Sequence, residues 1–312
     1  VQDNKDQDGN VREVCYRYRG NGGEWGATQV LSGSLFSEGP AVAWAGGSVH
    51  VAWTETELEG DDTLIKYCRR TVGDTSWVDC EEFANWGIGD YLARNLSIAA
   101  EGSDVYVVWD LVQAGDTAYA IGYVHSGNGG QSWRSPRTFP NGSKSGDEET
   151  EFFESVEAAE YVRYLRPHVT LASSGTVKVP VLAWHANRGP DAPPELSRVT
   201  RQDKSYKALW TYALQPGSDN QGNVRWATDY ITLSTDLAGE VDTSVNSAGA
   251  VLCVEGDLNA VLDSGWEGEG RLHAAYHEVG TNEWRVFYNG GEAIDFLSTV
   301  YLPLILSNFS SG

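Results

Sequence analysis

The sequence is poor in basic residues and has no long apolar run. Its 22 Lys and Arg residues stand against 44 Asp and Glu residues, which gives a formal net charge of −22. A surface of that sign repels phosphate backbones, so we expect no nucleic acid among the partners. No stretch of 18 apolar residues occurs, and the sequence therefore predicts no membrane span.

Methionine is absent, and cysteine is scarce at four residues. A removed signal peptide explains a chain without an initiator, so we expect a secreted protein, outside the cell or at its surface. Three Asn-x-Ser sequons, at Asn95, Asn141 and Asn308, permit glycosylation.

The four cysteines indicate disulfides, because their number is even and two of them are symmetrically placed. Cys68 and Cys80 flank Asp74 at equal distances, and a hairpin folded at Asp74 would set them opposite each other. Opposed Cβ atoms lie about 4.5–5.5 Å apart, close to disulfide distance. Cys15 and Cys253 would then join an N-terminal strand to a late one. Free thiols in a cytosolic protein are the alternative.

Aromatic residues and glycine are plentiful, at 12 Trp, 15 Tyr and 35 Gly, and they recur in a pattern. One unit is a strand, a Gly turn and an alternating strand that ends in an aromatic residue. It occurs at residues 40–53, 96–109 and 168–184, and a degraded copy ends at Tyr276. Period-two alternation with one aromatic at a fixed place predicts sheets that pack on their neighbours.

A second unit is a hairpin with a Gly, Asn or Asp turn and a Trp that opens the next strand. Its copies are residues 15–25, 67–77 and 122–133. Together the two units make a four-stranded antiparallel blade of roughly fifty residues. We therefore predict an all-β fold, a β-propeller of about five blades (range four to six) over residues 1–292. Residues 145–164 are predicted to form a short acidic helix inserted between blades.

The first repeat along the chain is the hairpin at residues 15–25, and no strand–turn–strand repeat precedes it. The first blade therefore lacks two of its four strands. Residues 293–312, which contain the most apolar run, are predicted to supply a strand, with Pro303 within it. That strand would either close its own propeller or add to the open blade of a neighbouring subunit, which gives a filament. The residues predicted for the assembly strand are Phe296, Val300, Tyr301, Leu302, Leu304, Ile305 and Leu306.

The turn Ser126-Gly127-Asn128-Gly129-Gly130-Gln131-Ser132-Trp133 resembles the Asp-box of sialidases and related BNR-repeat propellers, Ser-x-Asp-x-Gly-x-Thr-Trp. Residues 71–77 and 19–25 are similar to shortened copies. The resemblance implies a propeller whose short polar turn residues bond back to the backbone while the Trp packs between strands. Separately, the string Val300–Leu306 is similar to C-terminal tails of secreted proteins of Chloroflexi-type bacteria.

Sialidases hold a carboxylate with three arginines and use a Tyr–Glu pair and an Asp for catalysis. Their first arginine lies in a Phe/Tyr-Arg-Ile-Pro motif that this sequence lacks, and Leu165-Arg166-Pro167 is the nearest string. Arg94 and Arg271 are predicted at strand starts that would face an axial funnel, with ordinary surface arginines as the preferred interpretation. Tyr276 is predicted to be packed in the core. We therefore predict a non-catalytic member and no catalytic residues.

Calcium is the one cofactor that the sequence suggests. Asn4, Asp6 and Asp8, followed by Gly9, resemble the first half of a Ca²⁺ loop, and Glu13 is a candidate further ligand. A solvated polar N-terminal arm, residues 1–10, is the alternative. The six histidines are scattered without the spacing of a zinc site.

Two hypotheses for function follow. The first is a secreted structural β-propeller subunit, a homo-oligomer or homopolymer that assembles through terminal strands into a filament. The second is a carbohydrate-binding or sialidase-like glycoside hydrolase propeller, in which Trp and Tyr stack on sugar rings of a glycan partner. Most Trp residues occupy repeat positions, which favours a role in the core over one in ligand binding.

Overall fold

The structure is a computed structural model, and it divides into two compact units, residues 1–157 and 158–312. It describes residues 12–143 apart from 21–22, 34–35, 57–62, 84–90, 114–118 and 140–141. Between residues 158 and 290 it describes the strands whose bounds are given below. The described residues contain strands and turns but no helix, so none of them forms a helix that could span a membrane.

The described residues of the first unit form three antiparallel sheets. A two-stranded sheet pairs β1 with β2, and the two larger sheets follow chain order, β3 to β6 and β7 to β11. The strands are β1 (Cys15–Tyr16), β2 (Gln29–Val30), β3 (Phe36–Ala45), β4 (Ser48–Thr56), β5 (Thr63–Thr71), β6 (Val78–Phe83), β7 (Tyr91–Glu101), β8 (Asp104–Gln113), β9 (Tyr119–Ser126), β10 (Arg137–Phe139) and β11 (Gly142–Ser143).

The described strands of the second unit form two further antiparallel sheets. One has the order β12-β13-β14-β15, with β16 also paired to β14, and the other has the order β17-β18-β19. The strands are β12 (Val162–Ser174), β13 (Val177–Arg188), β14 (Lys207–Gln215), β15 (Arg225–Trp226), β16 (Ile231–Thr232), β17 (Asn246–Glu255), β18 (Arg271–Val279) and β19 (Trp284–Gly290). The last three residues of the predicted helix at 145–164 belong to β12, so that prediction is wrong for residues 162–164; the rest lies outside the described residues.

A bulge recurs at one position in the first strand of all four larger sheets. The pairing register shifts between Glu38 and Ala41 in β3 and between Arg94 and Ser97 in β7. It shifts in the same way between residues 165 and 168 in β12 and between residues 248 and 251 in β17. Opposite each bulge lies the aromatic residue of the sequence repeat, which is Trp53, Trp109, Trp184 or Tyr276.

The two larger sheets of the first unit pack face to face. Ile65, Tyr67 and Phe83 of the β3–β6 sheet share a core with Val107 and Trp109 of the β7–β11 sheet. Trp109 is fully buried, and its indole occupies the space where a side chain at position 122 would lie, which explains the glycine there. Consecutive antiparallel sheets of four or five strands that stack in this way are blades of a β-propeller, so the predicted fold class is confirmed.

The opposite face of the β3–β6 sheet packs against the β1–β2 sheet. Val14 joins Val49, Val51, Trp53 and Cys68 in a second apolar cluster. The guanidinium carbon of Arg70 lies 4.7 Å from the centre of the Tyr16 ring and 5.3 Å from that of Trp77, and its Nη1 donates to Gln29 at 2.9 Å. Cation–π and hydrogen-bond contacts thus hold the small sheet in place.

The turn at residues 126–133 is stabilised by its own polar side chains. Ser126 Oγ accepts the Gly130 N–H at 2.9 Å, and Asn128 Oδ1 accepts the Ser132 N–H at 2.9 Å. Trp133 then packs edge-on against Tyr67 and Phe83 of the neighbouring sheet, with ring centres 4.6 and 4.5 Å apart. The turn at residues 126–133 therefore anchors the β7–β11 sheet to the β3–β6 sheet.

Cys68 and Cys80 form a disulfide, with their Cα atoms 4.1 Å apart, as their symmetric spacing predicts. The register shifts between Tyr67 and Arg69, where the bond crosses the hairpin, and Asp79 takes a φ of 48°. Cys15 is a free thiol in this structure, so the predicted bond from Cys15 to Cys253 is not formed in it.

The two glycines of the 126–133 turn give a direct test of its packing. Both have a positive φ, 68° at Gly129 and 80° at Gly130. A Cβ at Gly130 would overlap the Tyr67 hydroxyl, whereas a Cβ at Gly129 would meet nothing within 4 Å. We expect Gly129→Ala to cost about 1 kcal/mol of unfolding free energy from backbone strain alone, and Gly130→Ala about 2 kcal/mol more. Urea denaturation measures both; equal losses would contradict the packing argument.

Candidate functional site

The candidate site lies where the first strands of the two larger sheets in unit 1 begin. A Cβ at Gly46, just after β3, would lie 3.0 Å from the carbonyl oxygen of Gly102, just after β7. Because β3 and β7 end side by side and pack together, their starts share the opposite edge. We call this edge, formed by residues 36–38, 54–56, 92–95 and 110, the bulged edge.

Glu55 is the most highly connected carboxylate at the bulged edge. Its side chain is 5% exposed, and its Oε1 accepts the Trp53 indole N–H at 3.0 Å, the Ser37 hydroxyl at 3.3 Å and the Gly33 N–H at 3.2 Å. The remaining oxygen lies 3.9 Å from Lys66 Nζ. Several donors and one cation compensate the loss of hydration that a buried carboxylate suffers.

Asp110 is the second buried acidic residue, at 1% exposure. Its Oδ2 accepts the Asn95 side-chain amide at 2.6 Å. Asn95 sits in the β7 bulge with a φ of 51°, a conformation that residues other than glycine adopt at a cost in energy. This hydrogen bond stabilises the bulge, and beside it Arg94 is exposed to solvent.

The rim of the bulged edge is ionic. Arg12 Nη1 lies 3.1 Å from Glu38 Oε2, with both side chains nearly half exposed, and Lys66 also pairs with Glu82. The groups at this edge that a polar ligand can reach are the exposed guanidinium groups of Arg12 and Arg94 and the partly exposed carboxylate of Glu38. The described residues contain no group of three or more potential metal ligands.

The opposite edge contains two buried histidine pairs. His50 Nδ1 lies 2.7 Å from the Tyr67 hydroxyl, and burial lowers the pKa of His50, with a smaller effect of Arg69. His125 Nε2 lies 2.9 Å from Asp104 Oδ1, and its ring stacks on Tyr106 at 4.2 Å. Burial raises the pKa of both tyrosines, so each stays a neutral hydroxyl.

Arg94 and Arg271 occupy different positions within their own sheets. Arg94 lies before the bulge of a first strand, as expected. Arg271 instead opens the second strand of its sheet and pairs with Glu255 at the end of β17. Its place in the sheet corresponds to that of Ser48 and Asp104, away from the bulge, so the two arginines occupy different strand positions, and ordinary strand-end arginines stay the preferred interpretation.

Arg166, in the string nearest to the sialidase motif, lies within the β12 bulge. Glu13 is described, whereas the other calcium candidates, two of the three sequons and the apolar C-terminal segment lie outside the described residues. The calcium site therefore stays a prediction. Asn95 Nδ2, the atom that would carry a glycan, donates to Asp110. The residues that lie outside are Asn4, Asp6, Asp8, Asn141, Asn308, Phe296, Val300, Tyr301, Leu302, Leu304, Ile305 and Leu306.

Sequence reasoning missed Glu55 and Asp110, and it singled out Asn95 only as a glycosylation sequon. A signal for the two carboxylates exists, because an acidic residue follows the repeat aromatic within two positions in Trp53-Thr54-Glu55 and in Trp109-Asp110. The repeat of strand, Gly turn and strand ends at its aromatic residue, so it does not include the acidic residues that follow. Asn95 carries no signal in the sequence beyond its glycosylation sequon.

No protein-family model and no curated protein sequence matches the chain, but solved structures do. A mutant of NanB sialidase from Streptococcus pneumoniae is 10% identical with a TM-score of 0.45, over 90% of this chain and 36% of that one. The GH93 α-L-arabinofuranosidase of Fusarium graminearum is 12% identical with a TM-score of 0.47, over 90% and 74%. The endo-arabinase from Bacteroides thetaiotaomicron is 11% identical with a TM-score of 0.42, over 86% and 81%.

This chain thus spans about a third of the sialidase and about three quarters of the arabinofuranosidase. Likeness of this degree assigns no activity or ligand to the chain.

Replacing Glu55 tests its role as an acceptor. Glu55→Ala leaves the Trp53 indole N–H and the Gly33 N–H without their acceptor, and we expect a loss of about 3 kcal/mol in unfolding free energy. Glu82→Ala is the control, because it removes an exposed partner of Lys66 and should cost at most about 1 kcal/mol. Chemical denaturation at neutral pH measures both values, and a Glu55→Ala loss no larger than the control would refute the assignment.

Acid should destabilise the protein through its buried histidines. Burial lowers the pKa of His168 to about 4 and also lowers that of His50. The unfolded chain takes up protons near pH 6.5 while the folded chain does not, so stability falls as pH drops from about 7 towards 4, by up to about 1.4 kcal/mol per pH unit per histidine.

His50→Gln should reduce this slope and leave the dependence between pH 7 and 9 unchanged, because the imidazole is neutral there in both states. Urea denaturation across pH measures the slope. An unchanged slope in the variant would show that His50 titrates normally in the folded protein.

Proposed function

We propose that this chain is a secreted carbohydrate-binding β-propeller whose ligand site is the bulged edge. The observation that carries the proposal is the left-handed Asn95, held by the buried Asp110 at 2.6 Å, next to the exposed Arg94. Strained residues at fixed polar positions are typical of binding sites. The disulfide between Cys68 and Cys80 is consistent with an extracellular location.

Carbohydrate suits this edge because sugars present many hydroxyl groups that both donate and accept hydrogen bonds. Glu38 supplies a partly exposed carboxylate, and Arg94 a cation with several donors. A sialoside and arabino-oligosaccharides are the first ligands to try, since the former adds a carboxylate for Arg94 and the latter present hydroxyl groups alone. The proposal is one of binding, because its argument rests on groups that fix a ligand and assigns no residue a part in bond cleavage.

Titration calorimetry against these two ligand classes, preceded by a glycan array, tests the proposal. We expect Arg94→Ala to weaken binding about tenfold, the effect of losing one hydrogen bond to a charged group. Arg134→Ala is the matched control, because Arg134 is exposed and follows the 126–133 turn at the opposite edge. Absence of binding on the array, or equal effects of the two variants, would refute the site. Release of free sugar would make the chain a hydrolase.

A second candidate function is that of a structural subunit that assembles through strand addition. It is favoured by a different observation, the two exposed apolar side chains Val42 and Trp44 on β3. A stable sheet face of this kind is normally covered. The two functions are compatible, since they use separate surfaces.

A further inference from the structure

The disulfide between Cys68 and Cys80 lies where the β1–β2 sheet contacts the β3–β6 sheet. Cys68 is buried in the apolar cluster that also contains Val14, the residue directly before β1. Cys80 belongs to β6 and is exposed to solvent. The bond therefore links an exposed part of β6 covalently to the cluster on which the small sheet packs.

Trp77, three residues before Cys80, joins the same hairpin to the β1–β2 sheet. Its indole Nε1 donates to Gln29 Oε1 of β2 at 3.0 Å. Its ring lies edge-on to that of Tyr16 in β1, with the ring centres 5.0 Å apart. The guanidinium carbon of Arg70 lies 5.3 Å from the centre of the Trp77 ring. The position of Trp77 thus affects how firmly β1 and β2 are held.

The part of β6 next to the disulfide has few other contacts that hold it in place. Val78, Glu81 and Glu82 are exposed, and the buried residue of β6 is Phe83, at its far end. Among the described strands β6 pairs with β5 alone, because it is the last strand of its sheet. The disulfide is therefore a main link between the first half of β6 and the sheet.

The backbone beside the disulfide is strained. Asp79 has a φ of 48°, and Asp79 and Cys80 together lie opposite Cys68, since the register shifts between Tyr67 and Arg69. A residue other than glycine takes this conformation at a cost in energy, which surrounding contacts must offset. The disulfide and the ion pair between Asp79 and Arg69 supply that offset. Opening of the disulfide removes one of them and favours release of the bulge.

We propose that the disulfide is a redox latch, whose opening by a dithiol reductant releases residues 72–82, the latch hairpin, and so loosens the β1–β2 sheet. A thiolate of the reductant attacks the exposed Cys80 Sγ, and Cys68 leaves as a thiolate that takes up a proton. The second thiol of the reductant then attacks the mixed disulfide and releases Cys80 as a thiol. The protein gains two electrons and two protons, and the reductant becomes a disulfide.

The opening is local, because the main core of the first unit lies on the other face of the β3–β6 sheet. That core is formed by residues such as Ile65, Val107 and Trp109, and neither cysteine belongs to it. Phe83 and Trp133 remain packed there, with ring centres 4.5 Å apart. The inference is independent of carbohydrate binding at the bulged edge and of assembly through strand addition.

Hydrogen exchange with and without dithiothreitol, a dithiol, tests the inference on the full chain. In the reduced protein we expect amide exchange to be at least about tenfold faster in the latch hairpin and in β1 and β2, because the hairpin loses its covalent closure. Exchange in β8 should stay unchanged. Alkylation followed by mass spectrometry verifies that the bond between Cys68 and Cys80 has opened.

Three variants separate the steps. Cys68→Ala with Cys80→Ser should show the fast exchange without reductant. Trp77→Ala should speed exchange in β1 and β2 while the disulfide stays intact, because it removes the contacts to Tyr16 and Gln29. Cys15→Ser is the matched control, since Cys15 is a free thiol outside the bond and its loss should leave the response to dithiothreitol unchanged.

Four results would overturn the proposal. They are a bond that dithiothreitol leaves intact, equal exchange in the two redox states, loss of protection in β8 together with β1, and a Cys15→Ser variant that no longer responds. Unchanged exchange of β1 and β2 in Trp77→Ala would equally contradict the role of that side chain. If the double cysteine variant does not fold, the wild type with and without reductant decides alone.

Discussion

Apolar side chains on both faces of each sheet are the constraint on which the first unit depends. The β3–β6 sheet buries Ile65 and Tyr67 on one side and Val51 and Trp53 on the other. Neither face is stable in water alone, since burial of one large apolar side chain is worth about 1.5–3 kcal/mol. Each sheet therefore needs a neighbour on both sides, and stacking of consecutive sheets supplies one. Val42 and Trp44 of β3 are exposed on the face opposite the core shared with the β7–β11 sheet.

The bulge and the aromatic residue opposite it determine where polar side chains gather at the edge of each sheet. The extra residue in each first strand shifts the register and bends the strand, so the residues before it leave the regular packing. At the bulge in β7 the amide of Asn95 reaches Asp110, and before the bulge in β3 the hydroxyl of Ser37 reaches Glu55. The same irregularity that seats Trp53 and Trp109 in the core thus leaves a polar edge at the ends of the strands.

The repeat made the fold predictable. Alternation and a fixed aromatic gave the strand pairs 40–53 and 96–109, and symmetric cysteines gave the bond between Cys68 and Cys80. The strand pairs and the disulfide join residues that are close together along the chain, so the pattern that predicts them can be seen in a single sequence. The short turn at 126–133 was also predictable, because its side chains bond within the turn.

The site was predictable only in part, because it depends on register. Arg94 and Arg271 both precede alternating runs, yet Arg94 lies in the first part of a first strand and Arg271 opens a second strand. Strand order alone decides which edge of its sheet each residue occupies. The buried state of Glu55 depends on a donor from Gly33, 22 residues away, which no local pattern reveals. Long-range contacts of this kind separate an accurate fold prediction from an accurate site prediction.

Amide hydrogen exchange of β1 and β3 tests most directly the claim that a sheet face needs cover on both sides. The backbone amides of Cys15 and Tyr16 and of residues 42–44 would be followed by mass spectrometry at low and at high protein concentration. The account predicts that exchange in these two segments slows at high concentration, while exchange at the 126–133 turn stays unchanged. Equal exchange at all concentrations, with β1 and β3 already fully protected in the dilute protein, would contradict it.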